Sequence, residues 1–246
     1  MCVTLPRATI DQVAMTLGQH TLRSYDKQLQ HLMQLIFDMG GEVRKMVLAA
    51  KDSFRSRDES RVADAKAADK HINELDHQVE EEATIVLALQ NPLAIDLRFV
   101  TSVLKITGML ERAGDLAKNT VKRSVKMGTF APEPVIAKLE RMADIIVDML
   151  DDALAAFDSK DTERAIAVWK RDEEIDDLYH EIFSVMQQEM SASPDNVAVC
   201  THVVFAAKNL ERLADYTTNI AKTVYYVTSG KHADKALLKG PPEGAQ

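Results

Sequence analysis

The stretch Leu110-Glu111-Arg112-Ala113-Gly114-Asp115, with Asn119 and Lys122 after it, recurs one hundred residues later. There it reads Leu210-Glu211-Arg212-Leu213-Ala214-Asp215, with Asn219 and Lys222 following. The same offset superposes Thr101 on Thr201 and Val103 on Val203. Val103, Leu110, Gly114 and Val121 recur at helical spacing, so the repeated unit is an acidic amphipathic helix present in two copies.

Upstream of the first copy, Gln90-Asn91-Pro92 stops one helix, and the acidic helix runs from just after Pro92 to Gly128. The stopped helix carries Val62, Ala65, Ile72, Leu75, Val79, Ala83 and Val86, with Asp58 placed to cap its start. Before it, residues 24–56 place Leu29, Leu32, Ile36, Met39, Val43, Val47, Ala50 and Phe54 at threes and fours, with Gly40-Gly41 as a candidate bend.

Gly128 through Pro134 then breaks the pattern, and the sequence begins again. An offset of 103 pairs Met39 with Met142, Phe54 with Phe157, Asp58 with Asp161, Asp69 with Asp172, Ile72 with Ile175 and His77 with His180. The offset falls to 100 before the second acidic helix, which puts a three-residue deletion in the turn near Ser193-Pro194. A unit of about 100 residues exceeds the length of helical solenoid repeats. The expected architecture is therefore all-α, with six long helices forming two tandem, similar three-helix bundles. The divisions are an N-terminal extension (1–22), a first bundle (23–128), a second bundle (129–230) and a flexible tail (231–246).

Composition narrows the function. A net charge of −8 opposes a polyanion, so direct nucleic-acid binding is not expected. Cys2 and Cys200 lack metal-type spacing, and neither a signal peptide nor a long apolar run is present, which leads to an expected cytoplasmic location. Nothing resembles a nucleophile, histidine and acid set or a phosphate-cradling glycine loop.

The repeated acids carry the chemistry. Glu111 and Asp115 lie about 40° apart on a helix, on a flank that could face another subunit or helix, and like charges at this spacing cost a few tenths of a kcal/mol. Gly114, about 1 kcal/mol worse than alanine in a helix interior, marks a close helix contact. The preceding helix of each copy adds a second polar pair, Asp69 with Asn73 and Asp172 with Asp176. One such pair reads as a solvated or salt-bridged face, with Lys118, Lys122 and Lys222 as partners. Recurrence at matched positions favours a hard divalent cation bound by carboxylate and amide oxygens. Glu74 and His77, matched by Asp177 and His180, have di-iron ligand spacing, but they point away from the apolar stripe and read as solvated surface. Trp169 reads as core or interface.

Three features together resemble the PhoU family of phosphate-transport accessory and regulatory proteins. They are the twofold Glu-x-x-x-Asp motif at Glu111/Asp115 and Glu211/Asp215, the entry Pro92-Leu93-Ala94-Ile95-Asp96-Leu97-Arg98, and the duplicated three-helix unit. The resemblance spans about residues 20–230. It implies a noncatalytic regulator, often a homodimer, whose acidic motifs bind metal clusters. The implied ligands are Glu111, Asp115, Asn119, Glu211, Asp215 and Asn219, with Asp69, Asp172 and Asp176 contributing, and the implied ions are magnesium, manganese or iron. It further implies negative regulation of the phosphate-starvation response by contact with the phosphate ABC transporter, through its ATPase subunit, and with a phosphate-responsive sensor histidine kinase. Because Asn73 replaces an acid and the second copy lacks the Asp96-Leu97-Arg98 entry, the two sites are expected to differ in affinity. The competing class is a carboxylate-bridged di-iron or other metal-dependent enzyme of helical-bundle type.

Overall fold

The computed structural model describes residues 7–128, 131–234 and 237, with side chains from residue 24 onward. Its helices are α1 (Arg7–Ser56), α2 (Ser60–Gln90), α3 (Ala94–Lys126), α4 (Glu133–Ser159), α5 (Thr162–Lys170), α6 (Asp172–Ala192) and α7 (Val197–Ser229). The six-helix, all-α expectation holds, with the fifth helix broken at Arg171 into α5 and α6. Backbone helix already begins at Arg7, so residues 7–22, read as an extension, continue α1. Residues 1–6, and all of the tail beyond 234 except Leu237, lie outside the described residues.

The duplication is visible in the backbone. Arg57 and Lys160, paired by the offset of 103, both end their helices with positive φ, at 49° and 57°. Each is followed by an aspartate whose carboxylate accepts from the next helix: Asp58 from the Ser60 N–H, and Asp161 from the Glu163 and Arg164 N–H groups. Such acceptors satisfy donors that the first helical turn leaves unpaired. The expected deletion falls where a short 3₁₀ turn, Pro194–Asn196, joins α6 to α7. The second acidic helix ends at Gly230, whose φ of 71° suits a residue without Cβ.

α1, α2 and α3 pack as one bundle, and α4, α5/α6 and α7 as the other. The two are joined along α3 against α7, the most extensive helix pairing, and along α1 against α4. Their apolar faces merge into one core that includes Met39, Ile72, Val103 and Leu110 together with Met142, Ile175, Val203 and Leu210, all fully buried. Trp169 is buried as well, with the Lys222 ammonium 4.5 Å from its ring centroid. Gly40 on α1 faces Leu154 on α4, and a Cβ at Gly40 would collide with the leucine side chain. This glycine therefore serves close approach between the repeats. Ion pairs Lys51–Asp144, Arg44–Asp151 and Arg55–Glu140 lie along the same seam.

Among the described residues, no helix is long and apolar enough to cross a membrane.

Candidate metal centre

The acidic flanks of α3 and α7 face the preceding helix of their own bundle. Leu110 and Ala117 are fully buried and turn one stripe of α3 into the core, leaving Glu111, Asp115 and Lys118 at its edge, toward α2. Gly114 lets the two helices meet, since a Cβ there would lie 2.8 Å from Ile72 Cδ1. The close contact expected at this glycine is present, and it brings Asp69 alongside α3.

What fills the first cluster is a side chain. Lys118 Nζ donates to Asp69 Oδ2 at 2.6 Å and to Asp115 Oδ1 at 2.5 Å, with only 14% of the lysine side chain exposed. The hydrogen bond from Lys118 holds the Asp115 carboxyl below its usual range. Burial alone would lower the Lys118 pKa, but its bonds to both aspartates outweigh this and raise it. Glu111 lies one turn back, 3.3 Å from Arg112. Burial pushes its carboxyl up, the Arg112 charge pulls it down, and the charges of Asp115, Asp76 and Asp69 add to the rise.

The second cluster is arranged differently. Thr218 stands where Lys118 stands in the first copy, and its hydroxyl donates to Asp172 Oδ1 at 3.1 Å. The cation has moved to Lys208, in place of Gly108, where it bonds Glu211 Oε1 at 2.6 Å and lies 5.0 Å from the Tyr179 ring centroid. The other oxygen, Glu211 Oε2, is buried without a hydrogen-bond partner. Asp215 keeps a solvent-exposed edge, yet burial of its inner side, followed by the charges of Glu211, Asp172 and Asp176, pushes its carboxyl up to about 6. Burial raises Asp172 too, opposed by the Thr218 bond and reinforced by Asp176.

Of the remaining sequence candidates, Asn119 is half-buried, while Asn219, Asp176 and Asn73 are exposed. No three of the candidate carboxylates bring oxygens within 4.8 Å of one another. Among the described residues the one His/Cys/Asp/Glu group that does so is Asp76, His77 and Glu80 on α2, with Asp76 half-buried and the other two exposed. His77 and Glu80 are 79% and 62% exposed, and Glu74 is also exposed, which agrees with a solvated surface there.

In the second repeat the donors are of the type a hard cation takes, carboxylates of Glu211, Asp215, Asp172 and Asp176 with one Glu211 oxygen buried and unpartnered, although no three of them converge within 4.8 Å. In the first repeat an ammonium occupies the position between the aspartates, and the residues do not fit a metal at that position. Periodicity alone makes Lys118 a salt-bridge partner on a solvated face and does not single out Lys208 or Thr218. The signal was present in the repeat alignment, where Lys118 pairs with Thr218 and Gly108 with Lys208.

The PhoU domain matches the chain twice, over residues 36–124 and 139–224. A phosphate-specific transport system accessory protein PhoU homolog of Caulobacter vibrioides is 36% identical over 214 residues, covering 87% of this chain and 93% of the relative. One of Rhizobium meliloti is 36% identical over 215 residues, covering 86% and 90%. The crystal structure of PhoU from Pseudomonas aeruginosa superposes with a TM-score of 0.79 at 26% identity, covering 84% of this chain and 100% of that one. The phosphate transport system regulatory protein PhoU from Streptococcus pneumoniae gives 0.79 at 28% identity, covering 85% and 99%. These relatives are named accessory and regulatory proteins, not enzymes.

Proposed function

The chain belongs to the PhoU family, and on that premise we propose that it is a noncatalytic, metal-binding cytoplasmic regulator of phosphate uptake. It acts as a homodimer that represses the phosphate-starvation response by contact with the phosphate ABC transporter ATPase subunit and the phosphate-responsive sensor histidine kinase. The names of the relatives support the transport role. Support for metal comes from the second-repeat cluster, above all the buried, unpartnered Glu211 Oε2 beside Asp215.

In this reading the residues hold and orient. Lys208 fixes Glu211 by one oxygen and leaves the other free, while Thr218 on α7 donates to Asp172 at the start of α6 and orients it. A bound magnesium, manganese or iron ion supplies the positive charge that lets these carboxylates remain ionised together. Asp172 and Asp176 on α6 and Glu211 and Asp215 on α7 are the residues that would hold it, so the ion would couple these two helices.

The test is binding of chelator-stripped protein to the purified ATPase subunit and kinase, with and without Mn²⁺, beside a Glu211→Ala/Asp215→Ala variant. Metal-dependent binding that the variant loses is expected. Metal should also raise the stability of the native protein by about 2.7 kcal/mol at a hundredfold excess over its dissociation constant. Binding that persists in excess chelator would make the acidic face a docking surface in its own right and remove metal from the mechanism.

A further inference from the structure

The two acidic clusters occupy equivalent places in the fold but carry their cations differently. In the first, Lys118 reaches from α3 to within hydrogen-bond distance of carboxylates on two helices, Asp115 on its own and Asp69 on α2. Its aliphatic stem is sheltered, and its ammonium sits where an ion bridging α2 and α3 would sit. In the second, position 218 is a threonine too short and uncharged to do this, and it bonds only Asp172. The division lies in where the cations sit, since the charges themselves balance alike. Glu111, Asp115, Asp69 and Asp76 face Lys118 and Arg112, and Glu211, Asp215, Asp172 and Asp176 face Lys208 and Lys222, but of these cations Lys118 is the one that hydrogen-bonds carboxylates on two helices.

We propose that the first repeat of this chain is a cation site permanently occupied by its own Lys118 ammonium, so that metal response is confined to the second repeat. The inference rests on the metal reading above for the second repeat but not for the first. For a divalent ion to enter between Asp69 and Asp115, the ammonium would have to leave two short charge-assisted bonds, and any incoming cation would meet its repulsion. The tether makes the occupant intramolecular, so it cannot be diluted or chelated away. One half of the molecule then keeps a fixed α2–α3 geometry under every metal condition, while α6–α7 is free to respond. A duplicated fold becomes a reference half and a sensing half.

A reciprocal exchange between the repeats tests this. Mn²⁺ alone is titrated calorimetrically into chelator-stripped full-length wild type, Lys118→Thr, Thr218→Lys and the double variant. Helicity is checked by circular dichroism, and Lys118→Met provides a second opening variant if Lys118→Thr does not fold. The wild type should take up one equivalent and Lys118→Thr two. Thr218→Lys should lose the wild-type site, with affinity reduced at least tenfold, and the double variant should bind one equivalent that Asp69→Asn abolishes.

The failures separate. Two equivalents in the wild type, unchanged in Lys118→Thr, would overturn the occupied-site inference and leave the metal reading intact. No binding by the wild type with uptake by Lys118→Thr would uphold the inference and remove metal from the second repeat. No binding by either would overturn both.

Discussion

Lys118 on α3 holds its ammonium 2.6 Å from the Asp69 carboxylate on α2 and so ties two helices of one bundle across their polar edge. The lysine side chain is 14% exposed and Asp69 16%, so the pair is largely shielded from water. Removing one member of such a pair leaves the other charge without its partner.

In metal-free buffer, Lys118→Met is expected to cost about 2 kcal/mol in urea unfolding, discounted from the value for a fully buried pair because Asp115 is partly exposed. Asp69→Asn should cost less, since Asp115 still satisfies the ammonium. The double variant should show a coupling of about 1 kcal/mol. Additive costs would mean that the two residues do not stabilise each other.

Asp215 gives a pH dependence whose sign is opposite to that of a salt-bridged acid. Its carboxyl titrates at about 6 in the fold against an ordinary 3.8, so the native state prefers it protonated. The penalty for ionising it is complete above its folded value and absent below its unfolded one, so this group lowers stability as pH rises through that window. In chelator, Asp215→Asn should therefore stabilise the protein by about 1 kcal/mol at neutral pH, after allowance for solvent screening, and by nothing near pH 4. An equal effect at both pH values would show that charge crowding is not the cause.

The adjacent glycines Gly40 and Gly41 separate two roles. Gly40 lies against Leu154 at the seam between repeats, whereas a Cβ at Gly41 would meet nothing within 4 Å. Gly41→Ala should gain up to about 1 kcal/mol from helix propensity. Gly40→Leu should lose about 2 kcal/mol despite the same gain, because Leu154 is buried and must shift. Thermal unfolding of the two variants decides it, and similar melting temperatures would rule out the close contact.

Much of the fold was legible because the sequence states it twice. Each apolar stripe of the first copy, from Met39 to Leu110, has a counterpart in the second, and both sets are buried in the structure. Periodicity could not show the break at Arg171, where a one-residue turn between two helical segments leaves the apolar spacing nearly intact. Nor could it show that α3 and α7 fuse the bundles into one core, since a buried stripe does not say which helix covers it.

Residue order alone marks this as a duplicated, all-helical, acidic chain with a Glu-x-x-x-Asp motif in each half. Helical geometry alone puts residues four apart on one face, so the carboxylate pairs needed no tertiary information. How each acid is neutralised depends on the packing of the helices. Whether Lys118 meets Asp69, forty-nine residues away, or points to solvent depends on how closely α2 approaches α3 over Gly114. Near-identical motifs thus end in different electrostatic states, because charge balance is set by distances between helices and the motif fixes only positions along one.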